Sequence, residues 1–131
     1  YTGVIPILLN KIDSNQTPII NGDGSQAYDF INVSDAARCN IHAIESSATD
    51  QFYNVGTGVQ TSIGELCNLI LGLRKSDLKV VYKPYSNKDN RQLVKNRIGC
   101  IKKAKKDLGF KYKIDLIDGI KQLIDWRLKN K

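Results

Sequence analysis

Apolar residues recur at helical spacing in five stretches of the chain, and polar segments bearing Gly or Pro separate them. Val4, Ile5, Leu8, Leu9 and Ile12 predict the first helix, with Pro6 tolerated near its start. Pro18-Ile19-Ile20 reads as a short strand entering the turn Gly22-Asp23-Gly24-Ser25, and Tyr28 to Val33 as a second strand. Ser34 is placed to cap a helix whose Ala37, Ile41 and Ile44 share one face, expected to line the interior. Phe52 to Val55 forms the third strand. Ser62-Ile63-Gly64-Glu65 is a capping box, and Ile63, Leu66, Cys67 and Ile70 make the helix behind it amphipathic. Lys79 to Tyr82 is the fourth strand, followed by polar loop from Pro84 to Asn90. A lysine-rich helix turns Ile101, Ala104 and Leu108 inward and ends at Gly109, a residue suited to the left-handed position past a helix end. Asp115 caps the last helix, whose Leu116, Ile120, Leu123 and Ile124 point inward, with Trp126 and Leu128 completing it. Strands and helices intermingle without repeats, so the fold class is α/β: a small mixed α/β lobe.

Composition narrows the class. A chain of 131 residues can bury about two-thirds of its unfolded surface, enough for a real core. No apolar run approaches the roughly 18 residues of a membrane span, and no leader pattern opens the chain. A sequence that begins Tyr1-Thr2-Gly3 and holds no Met is expected to be a piece of a longer polypeptide. Cys39, Cys67 and Cys100 lie far apart, without a C-x-x-C pair and with a single histidine, His42. That spacing gives no zinc site and no even disulfide framework, and predicts reduced thiols in a cytoplasmic protein.

The net charge of +7 is concentrated: residues 95 to 113 hold eight Lys or Arg against one Asp. Such a block could form a basic nucleic-acid-binding module. Within KKAKKDLG, however, no aromatic residue interleaves the lysines as a stacking platform, and a solvated helix face explains the charge better. Catalytic groups are missing from the pattern. The acids are not paired for acid–base work, and one histidine excludes most triads.

Two G-x-G turns, Gly22-Asp23-Gly24 and Gly56-Thr57-Gly58, sit at predicted strand ends, where α/β domains offer backbone amides to ligands. GTGVQT nearly matches a dinucleotide loop, but Thr61 replaces the third glycine and the capping box already accounts for the helix start. Glycine in both turns lets the backbone approach something closely.

Four ordered blocks, GVIPILL, GDGSQAYDFINVSDAA, FYNVGTGVQTSIGEL and KAKKDLGFKYKIDLIDGIKQLIDW, resemble the C-terminal half of the extended short-chain dehydrogenases/reductases. Within that family the NAD-dependent nucleotide-sugar epimerases and dehydratases are most similar, and the UDP-glucose 4-epimerase branch most of all. The resemblance implies that residues 1–131 are a C-terminal substrate-binding lobe that would pack on a Rossmann-type domain missing here. That missing half would bind NAD and carry a Tyr-x-x-x-Lys pair; none of the six tyrosines here has Lys four residues on. The lobe alone is therefore expected to be inactive, with no catalytic, cofactor or metal residues of its own. The intact enzyme would epimerise a nucleotide sugar, with a UDP-sugar expected and homodimers usual in the family; 4,6-dehydration is the alternative. The resemblance places Ile19 and Asn21 beside the nucleotide base, Asn21 standing for a usual aromatic. It places Ile63 against the nucleotide and Asp89 on the ribose. The family's phosphate-gripping arginines fall on Tyr28 and Ser86, and neither supplies the forked charge of a guanidinium. Arg91 is the nearest replacement, with Arg97 and Lys88 behind it, and Tyr28 keeps one hydrogen bond to give.

Overall fold

The computed structural model describes residues 3–85 and 94–130. Ten elements follow in order: α1 (Val4–Asp13), β1 (Ile19–Asn21), β2 (Ala27–Tyr28), α2 (Val33–Glu45), β3 (Thr61–Ser62), α3 (Ile63–Leu73), β4 (Val81–Lys83), β5 (Asn96–Arg97), α4 (Lys102–Leu108) and α5 (Leu116–Lys129). The mixed α/β class is as the sequence predicts. The chain divides into two units, one of residues 1–28 and 61–96, the other of residues 29–60 and 97–131.

In the first unit α1 packs against α3, because their apolar stripes coincide with the periodicity of the sequence. Leu8, Leu9 and Ile12 from α1 are buried, as are Leu66, Cys67, Ile70 and Leu71 from α3. Arg74 and Asp13 add an ion pair at 2.9 Å. The expected capping box is present: Glu65 N–H donates to Ser62 Oγ at 3.1 Å, and Ser62 N–H donates to Glu65 Oε2 at 2.8 Å. These bonds, the backbone one first, hold the Glu65 carboxyl below its ordinary value. β1 and β4 run parallel, with Ile19 opposite Val81, Ile20 opposite Tyr82 and Asn21 opposite Lys83. β4 thus lies one to two residues later than the expected Lys79–Tyr82. β2 pairs antiparallel with β3, Ala27 opposite Ser62 and Tyr28 opposite Thr61.

In the second unit α2 and α4 pack together around Cys39, Ala104, Leu108 and Phe110. Gly109 takes the left-handed conformation at φ 62, and Asp115 caps α5 by accepting from Asp118 N–H at 2.8 Å, both as expected. Four expectations fail here. The strand foreseen from Tyr28 to Val33 stops at Tyr28, because Asn32 Oδ1 accepts from Ser34 N–H at 2.9 Å and starts α2 at Val33. Phe52 to Val55 is not a strand and Phe52 is 94% exposed; strand residues without a paired neighbour gain no ladder bonds. The Ala37, Ile41 and Ile44 face of α2 points outward, with Ile44 84% exposed, while Asp35 and Cys39 are the buried pair. On α5, Ile120 and Ile124 are buried, but Trp126 and Leu128 are exposed.

Candidate functional site

The alternation of β1 sends Ile20 into the core of the first unit and leaves Ile19 and Asn21 exposed. The register sets Val81 and Lys83, also exposed, beside them. The chain then turns back through Gly22 and Gly24, at φ 85 and φ 75, values that L side chains rarely adopt. Gly22 N–H donates to the Lys83 carbonyl at 2.7 Å. Asp23 accepts from Ser25 Oγ at 2.6 Å and from Ser25 N–H at 2.9 Å, which holds its carboxyl below the ordinary range, the side-chain bond being the larger cause.

Two further hydrogen bonds stitch this turn to the start of α3. Ile63 N–H donates to the Gln26 carbonyl at 2.8 Å, and Gly64 N–H to the Gly24 carbonyl at 3.0 Å. Four of the residues singled out from sequence, Ile19, Asn21, Tyr28 and Ile63, therefore belong to one unit, arranged along β1, its turn and the β2–β3 pair. Asp89 and Arg91 lie outside the described residues, as do Ser86 and Lys88.

The close approach that the turn glycines permit is made by the chain's own rings. A Cβ on Gly22 would lie 2.5 Å from Tyr85 Oη, and one on Gly24 would lie 2.8 Å from Tyr82 Cε1. Both tyrosines keep part of their surface in solvent, 40% for Tyr85 and 47% for Tyr82. Gln26 Nε2 donates to Tyr85 Oη at 2.6 Å, and Tyr28 Oη donates to Gln26 Oε1 at 3.5 Å. Neither Tyr82 nor Tyr85 stands out in the sequence, since both sit in what reads as strand end and polar loop. The available signal was the pair of turn glycines, which calls for a bulky neighbour as much as for a ligand.

The second G-x-G turn is filled in the same way. Asp29, expected to order its own loop, instead reaches residues 56–58. Its carboxylate accepts from Thr57 N–H at 2.9 Å, from Thr57 Oγ1 at 2.6 Å and from Gly58 N–H at 2.8 Å. Gly56 has no room for a side chain against that carboxylate, a Cβ there lying 2.4 Å from Oδ2. Amides read as open to a ligand thus already hold an anion supplied by the chain. A dinucleotide pyrophosphate, which needs those same donors, does not fit this turn.

Asp35 is the polar residue that sequence reasoning missed. It is 1% exposed and accepts from Lys113 N–H at 3.0 Å and Ile114 N–H at 2.9 Å, while pairing with Arg38. Arg38 in turn donates to the Lys111 carbonyl at 2.8 Å. An acid in the first turn of a helix reads as a partner of the helix dipole, and that reading hid its longer reach. On α4, Lys102, Lys103, Lys105 and Lys106 are exposed as expected, with Lys103 Nζ bonded to Gln51 Oε1 at 2.7 Å and lying over the Tyr53 ring. Cys39 and Cys67 are buried and Cys100 is exposed; burial pushes the Cys67 thiol up to about 11.

The profile of the "NAD dependent epimerase/dehydratase family" matches residues 1–56. A Methanocaldococcus jannaschii protein, provisionally named UDP-glucose 4-epimerase, is 39% identical over 132 residues, covering 98% of this chain and 40% of that protein. Among solved structures, the Thermotoga maritima UDP-glucose 4-epimerase with UDP-glucose superposes with a TM-score of 0.87 at 30% identity, over 98% of this chain and 40% of that one. The Methanobrevibacter ruminantium UDP-N-acetylglucosamine 4-epimerase, in complex with UDP-N-acetylmuramic acid, gives 0.86 at 28% identity, over 100% and 41%. The chain thus spans about 40% of the length of the relatives it matches. By its ordered sequence blocks and by the fold they build, the chain belongs to the NAD-dependent epimerase/dehydratase family of the extended short-chain dehydrogenases/reductases.

Proposed function

We propose that residues 1–131 are the C-terminal, substrate-binding part of an NAD-dependent nucleotide-sugar epimerase of the UDP-glucose 4-epimerase kind. The observation that carries this reading is the similarity to 4-epimerases along nearly the whole chain, at the sequence level and in the fold. Ile19, Asn21 and Ile63 would flank the nucleotide, and Tyr28 would give one hydrogen bond. Asp89 would accept from ribose hydroxyls, and Arg91 would grip the diphosphate through charge-assisted bonds. NAD and the catalytic groups would belong to an N-terminal Rossmann-type domain outside this chain, and the lobe by itself would not turn over substrate. Two features support that division. The one dinucleotide-like turn among the described residues is occupied by Asp29, and the outward apolar stripe of α2 offers a face for another domain to cover. Free thiols fit a cytoplasmic enzyme, and the intact protein would be a homodimer.

The test is product analysis by NMR after incubating the complete protein with NAD and UDP-glucose. UDP-galactose is the expected product. A 4-keto-6-deoxy sugar would convert the assignment to a dehydratase, and no conversion of any nucleotide sugar would overturn it. Arg91→Ala should weaken UDP binding by about tenfold or more, the loss of one charge-assisted contact; unchanged affinity removes Arg91 from the site.

A further inference from the structure

We infer that Tyr85 is the platform on which the planar base of the nucleotide stacks, an inference that rests on the substrate-binding reading above. Tyr85 follows β4 and is held at its tip by two independent contacts. Its Cε2, Cζ and Oη pack so closely on the Gly22 backbone that a Cβ there would come within 2.6 Å of all three, and its Oη accepts from Gln26 Nε2 at 2.6 Å. The ring is nevertheless 40% exposed. An aromatic ring needed only for packing would bury its faces. One fixed at the tip and open along its surface has lost its rotamer freedom before any ligand arrives, so a flat partner stacks on it at little further entropic cost.

Its surroundings match a nucleotide better than an apolar molecule. Asn21 immediately precedes the glycine on which the ring rests, and Lys83, opposite Asn21 in the sheet, is an exposed cation two residues before the ring. An amide, a cation and an aromatic face together offer hydrogen bonding, charge and stacking to a base carrying phosphates. Because Gln26 donates to Tyr85 Oη, that oxygen still has its own proton to give to a ligand acceptor. Gln26 also accepts from Tyr28 Oη, so the platform and a residue already read as pocket wall are coupled through one amide.

The experiment is calorimetric titration of the complete protein with UDP, comparing the parent with Tyr85→Ala, Tyr85→Leu and Tyr85→Phe, with thermal unfolding run on each. Removing the ring in Tyr85→Ala or Tyr85→Leu should weaken UDP binding by about tenfold or more, the usual scale of base–aromatic stacking. Tyr85→Phe should restore most of the affinity, and inorganic pyrophosphate should compete equally well against all four proteins. Tyr85→Leu keeps apolar bulk on Gly22 and so remains informative should Tyr85→Ala not fold. Parent-like affinity in Tyr85→Leu, or equal losses in Tyr85→Leu and Tyr85→Phe, would overturn the platform while leaving the substrate reading intact. A parent that binds neither UDP nor UDP-glucose would overturn both.

Discussion

α3 and α2 are both capped, amphipathic helices, of 11 and 13 residues, and they treat their apolar stripes in opposite ways. α3 buries Leu66, Cys67, Ile70 and Leu71 within its own unit. α2 buries Cys39 and a carboxylate, and presents Val33 at 80%, Ile41 at 51% and Ile44 at 84% exposure. Solvent exposure of a stripe at helical spacing is costly, since burying one large aliphatic side chain is worth about 1.5–3 kcal/mol. The same unit leaves Phe52 open on a segment whose residues suit a strand. The first unit satisfies its own pattern, whereas the second is patterned for contact with polypeptide it does not contain. That polypeptide corresponds, in the function proposed above, to the part of the relatives that this chain does not span.

The comparison can be broken most forcibly at the polar centre of the second unit. Asp35→Ala leaves Arg38 without its anion and two amides without an acceptor, and should cost about 4 kcal/mol by denaturant unfolding. A cost below about 1 kcal/mol would mean that this carboxylate does not hold the unit together. In the first unit Leu66→Ala, at a position with no exposure, should cost about 3 kcal/mol for the cavity it leaves.

The stripe itself sharpens the contrast. Ile41→Ser combined with Ile44→Ser should change the stability of the 131-residue chain by less than about 0.5 kcal/mol, because both side chains are in water. In the complete protein the same pair should cost about 2 kcal/mol or more if another domain covers them. Equal effects in the two contexts would show that nothing docks there. The smallest expected effect is at the capping box. Glu65 has its carboxyl held below the ordinary value, so its contribution is present at neutral pH and fades as pH falls through the folded-state value. Glu65→Gln should therefore lower Tm at pH 7, and the gap to the parent should narrow on acidification; a gap constant down to pH 3 would contradict the assignment.

How much was legible in the sequence differs between the units for a physical reason. In the first, local signals and tertiary packing agree: the periodicity of α1 and α3, the S-x-x-E box and the turn glycines all lie where the sequence puts them. In the second, periodicity identified an apolar face on α2 but not what covers it, and so set Ile41 and Ile44 inside when they are outside. Asn32 displaced Ser34 as the cap because a side-chain acceptor two residues earlier starts the helix sooner. Long-range carboxylate bonds were invisible for another reason. Asp29 and Asp35 reach 28 and 78 residues along the chain, and spacing rules describe only near neighbours. Of the candidate site, Ile19, Asn21, Tyr28 and Ile63 were legible through family resemblance. Tyr82 and Tyr85 emerged only when the turn glycines had neighbours.

The most direct test of the account is hydrogen exchange on the complete protein with and without UDP-glucose. Slower exchange should appear in residues 19–28 and 61–64 when the ligand is added, with the lysine-rich helix Lys102–Leu108 unchanged. Exchange that is unaltered in residues 19–28 at saturating UDP-glucose, or protection confined to the lysine-rich helix, would contradict a substrate-binding role for this lobe.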